Sequence, residues 1–130
     1  MIVNKQFKGI VIVVEPSSLE RAFLTRWKQL APPNLPLPLA EYRFDRVRRW
    51  KFDFCWTWQK VAVELEGIGS GKSRHTSFIG YAKDCLKYNT ATLAGWRILR
   101  FTGQMLEDDP QGCIDMVVWA LTGEKPAREE

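Results

Sequence analysis

The chain of 130 residues is poor in the side chains that build metal clusters and disulfide frameworks, with three cysteines and one histidine. Cys55, Cys85 and Cys113 lie far apart and make no CxxC pair, which argues against zinc and against a disulfide scaffold. No run of about eighteen apolar residues occurs, so no membrane span is expected. The apolar stretch from Gly9 to Val14 is short for a signal peptide, and Glu15-Pro16 is not a small-residue cleavage site. A reducing, cytoplasmic protein is the expectation. There is no internal repeat. With 45% apolar residues, 1–130 reads as one domain with enough material for a core.

The punctuation is simple. Ile10 to Val14 reads as a strand. Ser17-Ser18-Leu19-Glu20 has the S-x-x-E capping-box pattern, and Leu19, Ala22, Phe23, Trp27 and Leu30 follow at helical spacing. Pro32, Pro33, Pro36 and Pro38 end that helix in an extended connector. Two alternating segments come next, Arg49 to Trp56 and Lys60 to Gly67, joined by a short turn. Gly67 to Gly71 reads as a loop, Ser77 to Ala94 as a helix stopped by Gly95, and Trp96 to Thr102 as a strand. A last helix carries Cys113, Ile114, Val117, Val118 and Leu121, and Lys125 to Glu130 reads as a tail. The expected class is α/β, a mixed sheet flanked by helices.

The two alternating segments carry the chemistry. Alternation puts Trp50, Phe52, Phe54 and Trp56 on one face and Lys51, Asp53 and Cys55 on the other. Val61, Val63 and Leu65 likewise separate from Ala62, Glu64 and Glu66. An antiparallel hairpin turning between Trp58 and Gln59 sets Asp53 opposite Glu64 and Lys51 opposite Glu66. Opposed like charges destabilise a sheet, and a shared cation relieves them. Hard carboxylate oxygens suit Mg²⁺ or Mn²⁺. Glu41, twelve residues before Asp53, is a third candidate acid. Glu66 has a plainer expectation, a salt bridge to Lys51.

The net charge is +4, with Arg43, Arg46, Arg48, Arg49 and Lys51 crowded around the first hairpin strand and Lys72, Arg74 and His75 after the second. Lys83 and Lys87 share a helix face, and Arg97 and Arg100 follow. A basic rim around acids suits a polyanion. Gly67-Ile68-Gly69-Ser70-Gly71-Lys72-Ser73 is one residue short of a P-loop, with Glu66 in the place of its first glycine. A loop that clamps a substrate backbone is the alternative. Trp50, Phe54, Trp56 and Trp96 read as core, and Trp58 as the hairpin tip.

Taken in order, Glu41-Tyr42-Arg43-Phe44, Arg48 to Phe54, Val63 to Gly67, Gly71 to Thr76, Asp84 to Asn89 and Gly95 to Thr102 resemble the PD-(D/E)xK nuclease superfamily. The likeness is to small bacterial and phage endonuclease-like proteins related to very-short-patch repair endonucleases. It spans about Glu41 to Thr102. It implies a restriction-endonuclease-like αβββαβ core and Mg²⁺-dependent hydrolysis of DNA phosphodiesters. Asp53 and Glu64 would bind metal, with the Leu65 carbonyl as a further donor. Glu41 would match the helix-or-loop glutamate, and His75 the histidine after the acidic strand. Glu66 stands where the motif lysine belongs, so Lys87, or else Lys83, would supply that charge. Arg48, Arg49, Lys72, Arg74 and Lys83 would contact DNA.

The expected function is therefore a metal-dependent DNA endonuclease, selecting branched or distorted DNA. A homodimer would cut both strands of a junction, using the last helix or the N-terminal strand. Two alternatives stay open. One is a DNA-binding module on a nuclease fold that does not cut. The other is a nucleotide-binding enzyme using Gly67 to Ser73.

Overall fold

The computed structural model of the chain describes residues 3–7, 10–14, 17–67 and 78–127, the first two stretches as backbone alone. Six strands and four helices occur among them: β1 (Val3–Phe7), β2 (Ile10–Val14), α1 (Ser18–Leu30), β3 (Leu39–Arg43), β4 (Lys51–Trp56), β5 (Val61–Glu66), α2 (Phe78–Leu93), β6 (Arg97–Thr102), α3 (Gly103–Asp108) and α4 (Pro110–Thr122). β1 and β2 form an antiparallel pair of their own. The main sheet has the order β3-β4-β5-β6. Its first three strands are antiparallel, and β6 joins β5 in parallel after the α2 crossover. The fold is thus a mixed α/β sheet flanked by helices.

The helices start and stop where local chemistry dictates. Ser17 caps α1, accepting the Glu20 N–H at 3.1 Å. Asp109 caps α4 through the Gly112 N–H at 3.0 Å, Pro110 opens it, and Gly123 closes it at φ 79°. α1 buries Phe23 and Trp27, while α4 buries Cys113, Ile114, Val117, Val118 and Leu121. These meet Phe54, Trp56, Val61, Val63 and Phe101 from the sheet in the larger core. On the other face a smaller core joins Phe52, Cys55, Ala62, Ala91 and Trp96, with Tyr42 and Phe44 packed on it. The Trp56 indole donates to the Pro36 carbonyl at 2.8 Å, which ties the proline connector to the sheet.

The hairpin register is the one its alternation predicts, with Phe54 opposite Val63, Cys55 opposite Ala62 and Trp56 opposite Val61. One expectation needs correction. Phe52 does not share a core with Phe54 and Trp56, but joins Cys55 on the other face. The neighbouring strand shows the same change, because Ala40 packs on the larger core and Tyr42 on the smaller. Between these positions lie Asp53 and Glu41, and Glu41 has a left-handed backbone at φ 55°. The pleat turns over at this point, and regular alternation cannot anticipate that. β1, β3 and α3 are further elements that the periodicity did not reveal.

Candidate functional site

The β4–β5 ladder ends at Phe54–Val63, one step before the two acids. Carboxylates take over from backbone carbonyls there. The Leu65 N–H donates to Asp53 Oδ2 at 2.8 Å, and the Asp53 N–H donates to Glu64 Oε2 at 3.3 Å. The strands separate while their free donors stay satisfied. Both acids face a cleft of about 490 Å³, which Leu65 and Glu66 also line.

α2 covers part of this cleft and buries Gly80, Asp84 and Ala91. It also carries Lys87, whose ammonium donates to Glu64 Oε1. Side-chain exposure is 14% for Lys87 and 7% for Glu64, so this ion pair is largely removed from water. Lys83, one turn earlier, is exposed and also borders the cleft. Glu66 is held by Arg100, whose Nε and Nη2 both lie 2.9 Å from Glu66 Oε1. Lys51 pairs with Glu41 at 2.8 Å, where a bridge to Glu66 was the expectation.

Burial is the main electrostatic force on the acid pair. It pushes the Glu64 carboxyl up to about 7, helped by the Asp53 charge and opposed by Lys87. Asp53 is raised too, chiefly by burial, against the pull of the Leu65 N–H. Around them Glu20, Glu41, Glu66 and Asp84 bring the acids lining the cleft among the described residues to six, beside the cations Arg49, Lys51, Lys83 and Lys87. Acids crowded in this way favour a cation between them.

Glu20 is a site residue that sequence reading missed, as are Asp84 and Tyr88, and Trp50, which reads as core, lines the cleft too. The S-x-x-E pattern accounted for Glu20 as a helix cap, and its N–H and its carboxyl both bond to Ser17, the N-cap of α1. Its carboxyl also borders the cleft and is raised by burial, then by Glu41 and Asp53. Of the other expected residues, Arg49 lines the cleft. Arg48 lies over the Trp50 ring, 4.8 Å from its centroid. Lys72, Arg74 and His75 fall outside the described residues, as does most of the Gly67 to Ser73 loop.

No group of three or more His, Cys, Asp or Glu side chains among the described residues is arranged to hold an ion by itself. The donor set expected from sequence is smaller: two carboxylates and a backbone carbonyl. Hard oxygens, burial and acid–acid proximity fit a divalent cation, and each carboxylate oxygen has a lone pair beyond the hydrogen bond it accepts. No helix among the described residues is long and apolar enough to cross a membrane. Comparison with family models, curated proteins and solved structures finds no match to this chain.

Proposed function

We propose that the protein is a metal-dependent DNA endonuclease. The observation that carries this reading is the meeting of Asp53, Glu64 and Lys87 in one cleft, at the point where two strands part. Mg²⁺ or Mn²⁺ would be held by Asp53, Glu64 and the Leu65 carbonyl. Such an ion supplies a polarised phosphoryl oxygen and a water of lowered pKa. Lys87 replaces the motif lysine from the next helix, and its charge stabilises the oxyanion that develops at phosphorus. Arg49 and Lys83, at the cleft margin, hold the flanking phosphates. These contacts read the backbone more than the bases, so the substrate is selected by shape, a branched or distorted duplex before a linear one. A homodimer would cut such a junction symmetrically. The cytoplasm, where DNA is found, is the matching compartment.

The test is a cleavage panel of linear, mismatched, nicked and four-way DNA with Mg²⁺, with Asp53→Ala as the control. Cleavage that disappears in Asp53→Ala is the expected result. Absence of cleavage on every form, with DNA binding indifferent to EDTA, would replace the enzyme by a binding module.

A further inference from the structure

We propose that Trp50 is a stacking platform for an unpaired nucleobase at the rim of the acidic cleft, with Arg48 covering the ring until the base arrives. The ligand's identity as DNA rests on the nuclease reading, while the platform itself rests on ring geometry.

Trp50 is partly exposed and lines the cleft that holds Asp53 and Glu64. It is also the outer end of a column of rings. Phe44 lies near-parallel to it, 6.3 Å away and tilted by 20°. Phe44 in turn stacks on Phe52 at 4.2 Å and 7°. Phe52 is fully buried and packs on Trp96 at 4.8 Å. The column fixes the indole from behind, so a base stacking on it meets a surface already ordered.

The cleft has a second aromatic, Tyr88, and comparing the two decides which is available. Each has an arginine near its ring, Arg100 at 4.5 Å from Tyr88 and Arg48 at 4.8 Å from Trp50. Arg100 is locked by its two nitrogens on Glu66. Arg48 is half exposed, and its ion pair with Asp45 is stretched to 4.0 Å. An exposed cation–π contact contributes about 0.5–1 kcal/mol. A base on an aromatic ring contributes about 1–3 kcal/mol. The base therefore displaces Arg48 from Trp50, and the released guanidinium stays beside the strand, where a phosphate accepts it. A paired base gains nothing by this, because it is already stacked in the duplex. The substrate class is DNA with an unpaired base next to the scissile phosphate.

The probe is a duplex with one bulged 2-aminopurine, beside the fully paired duplex of the same sequence, both with Ca²⁺ in place of Mg²⁺ so that the acidic cleft still holds a cation. Wild type and Trp50→Phe should quench the probe on binding. Trp50→Ala should lose the quench and about tenfold in affinity for the bulged duplex, with affinity for the paired duplex unchanged. Arg48→Ala should keep the preference while its salt slope falls by about one. Absence of quenching by the wild type overturns the proposal, and this measurement needs no variant to fold. A folded Trp50→Ala that binds the bulge as the wild type does also overturns it, as does loss of the preference in Arg48→Ala. The two readings separate with Mg²⁺. Quenching without any cleavage keeps the platform and removes the nuclease. Cleavage of bulged and paired DNA alike, without quenching, does the reverse.

Discussion

Glu64 accepts the backbone N–H of Asp53 at 3.3 Å, so one acid of the cleft closes the strand that carries the other. The bond joins fold and site, and it holds two carboxylates where their charges oppose each other. The folded state keeps the Glu64 proton up to about pH 7, against an ordinary value of 4.5. The native form therefore binds more protons than the unfolded form between these limits. Stability contributed by this group is complete below about pH 4.5 and declines as pH rises through 7.

Glu64→Gln removes that decline. Relative to the wild type, the variant should gain on the order of 1–2 kcal/mol between pH 5 and pH 8 in metal-free buffer. This gain is set against a loss from leaving the Lys87 ammonium without its partner. Urea melts at the two pH values measure both differences. A variant equally destabilised at pH 5 and pH 8 would show that Glu64 acts by packing and not by charge.

Lys87 supplies the opposite sign. Removing one member of a shielded ion pair costs about 3–5 kcal/mol when the other stays charged. Lys87→Met should show such a loss at pH 8 and a much smaller one at pH 5, where Glu64 takes a proton instead. The double variant Lys87→Met/Glu64→Gln should recover most of the loss. In cleavage assays Lys87→Met should lower the rate more than DNA affinity. Equal losses in both would make the lysine a backbone contact.

The pairing of Asp53 with Glu64 was legible because the hairpin alternates and its turn is short, which fixes register. The approach of Lys87 was expected only through family likeness. Lys87 lies one turn beyond the buried Asp84, on the face of α2 turned to the sheet. Phe52 was misassigned because the pleat turns over at Glu41 and Asp53, and composition carries no sign of a left-handed glutamate. β3 was hidden by its short, half-buried Leu39–Arg43 sequence behind four prolines. Glu20 was overlooked because one role, the cap, already explained it.

Glu20 yields a metal prediction. A cation that binds the native cleft raises the melting temperature by mass action. Mn²⁺ should raise it by several degrees in the wild type and not in Asp53→Asn. Glu20→Gln keeps the capping pattern, since glutamine also serves three residues after the cap. It should fold normally, yet its Mn²⁺ shift should be smaller, because one acid of the crowded cleft is gone. An undiminished shift would confine Glu20 to the helix cap.

Lys60 tests the other end of the hairpin, where two effects of similar size compete. Its backbone is left-handed at φ 54°, which costs a residue with a side chain about 1 kcal/mol relative to glycine. Its ammonium donates to the Ala94 carbonyl at 2.6 Å, beyond the end of α2, and its own carbonyl accepts the Arg97 N–H at 2.9 Å. The exposed ammonium bond contributes about 1 kcal/mol. Lys60→Gly relieves the backbone and loses the ammonium, so its stability should lie near that of the wild type. Lys60→Ala loses the ammonium and keeps the strain, so it should be less stable than Lys60→Gly by about 1 kcal/mol. Chemical denaturation of the three proteins measures both gaps. If Lys60→Ala proves as stable as Lys60→Gly, the left-handed turn carries no strain, and the ammonium bond alone explains the choice of lysine at this position.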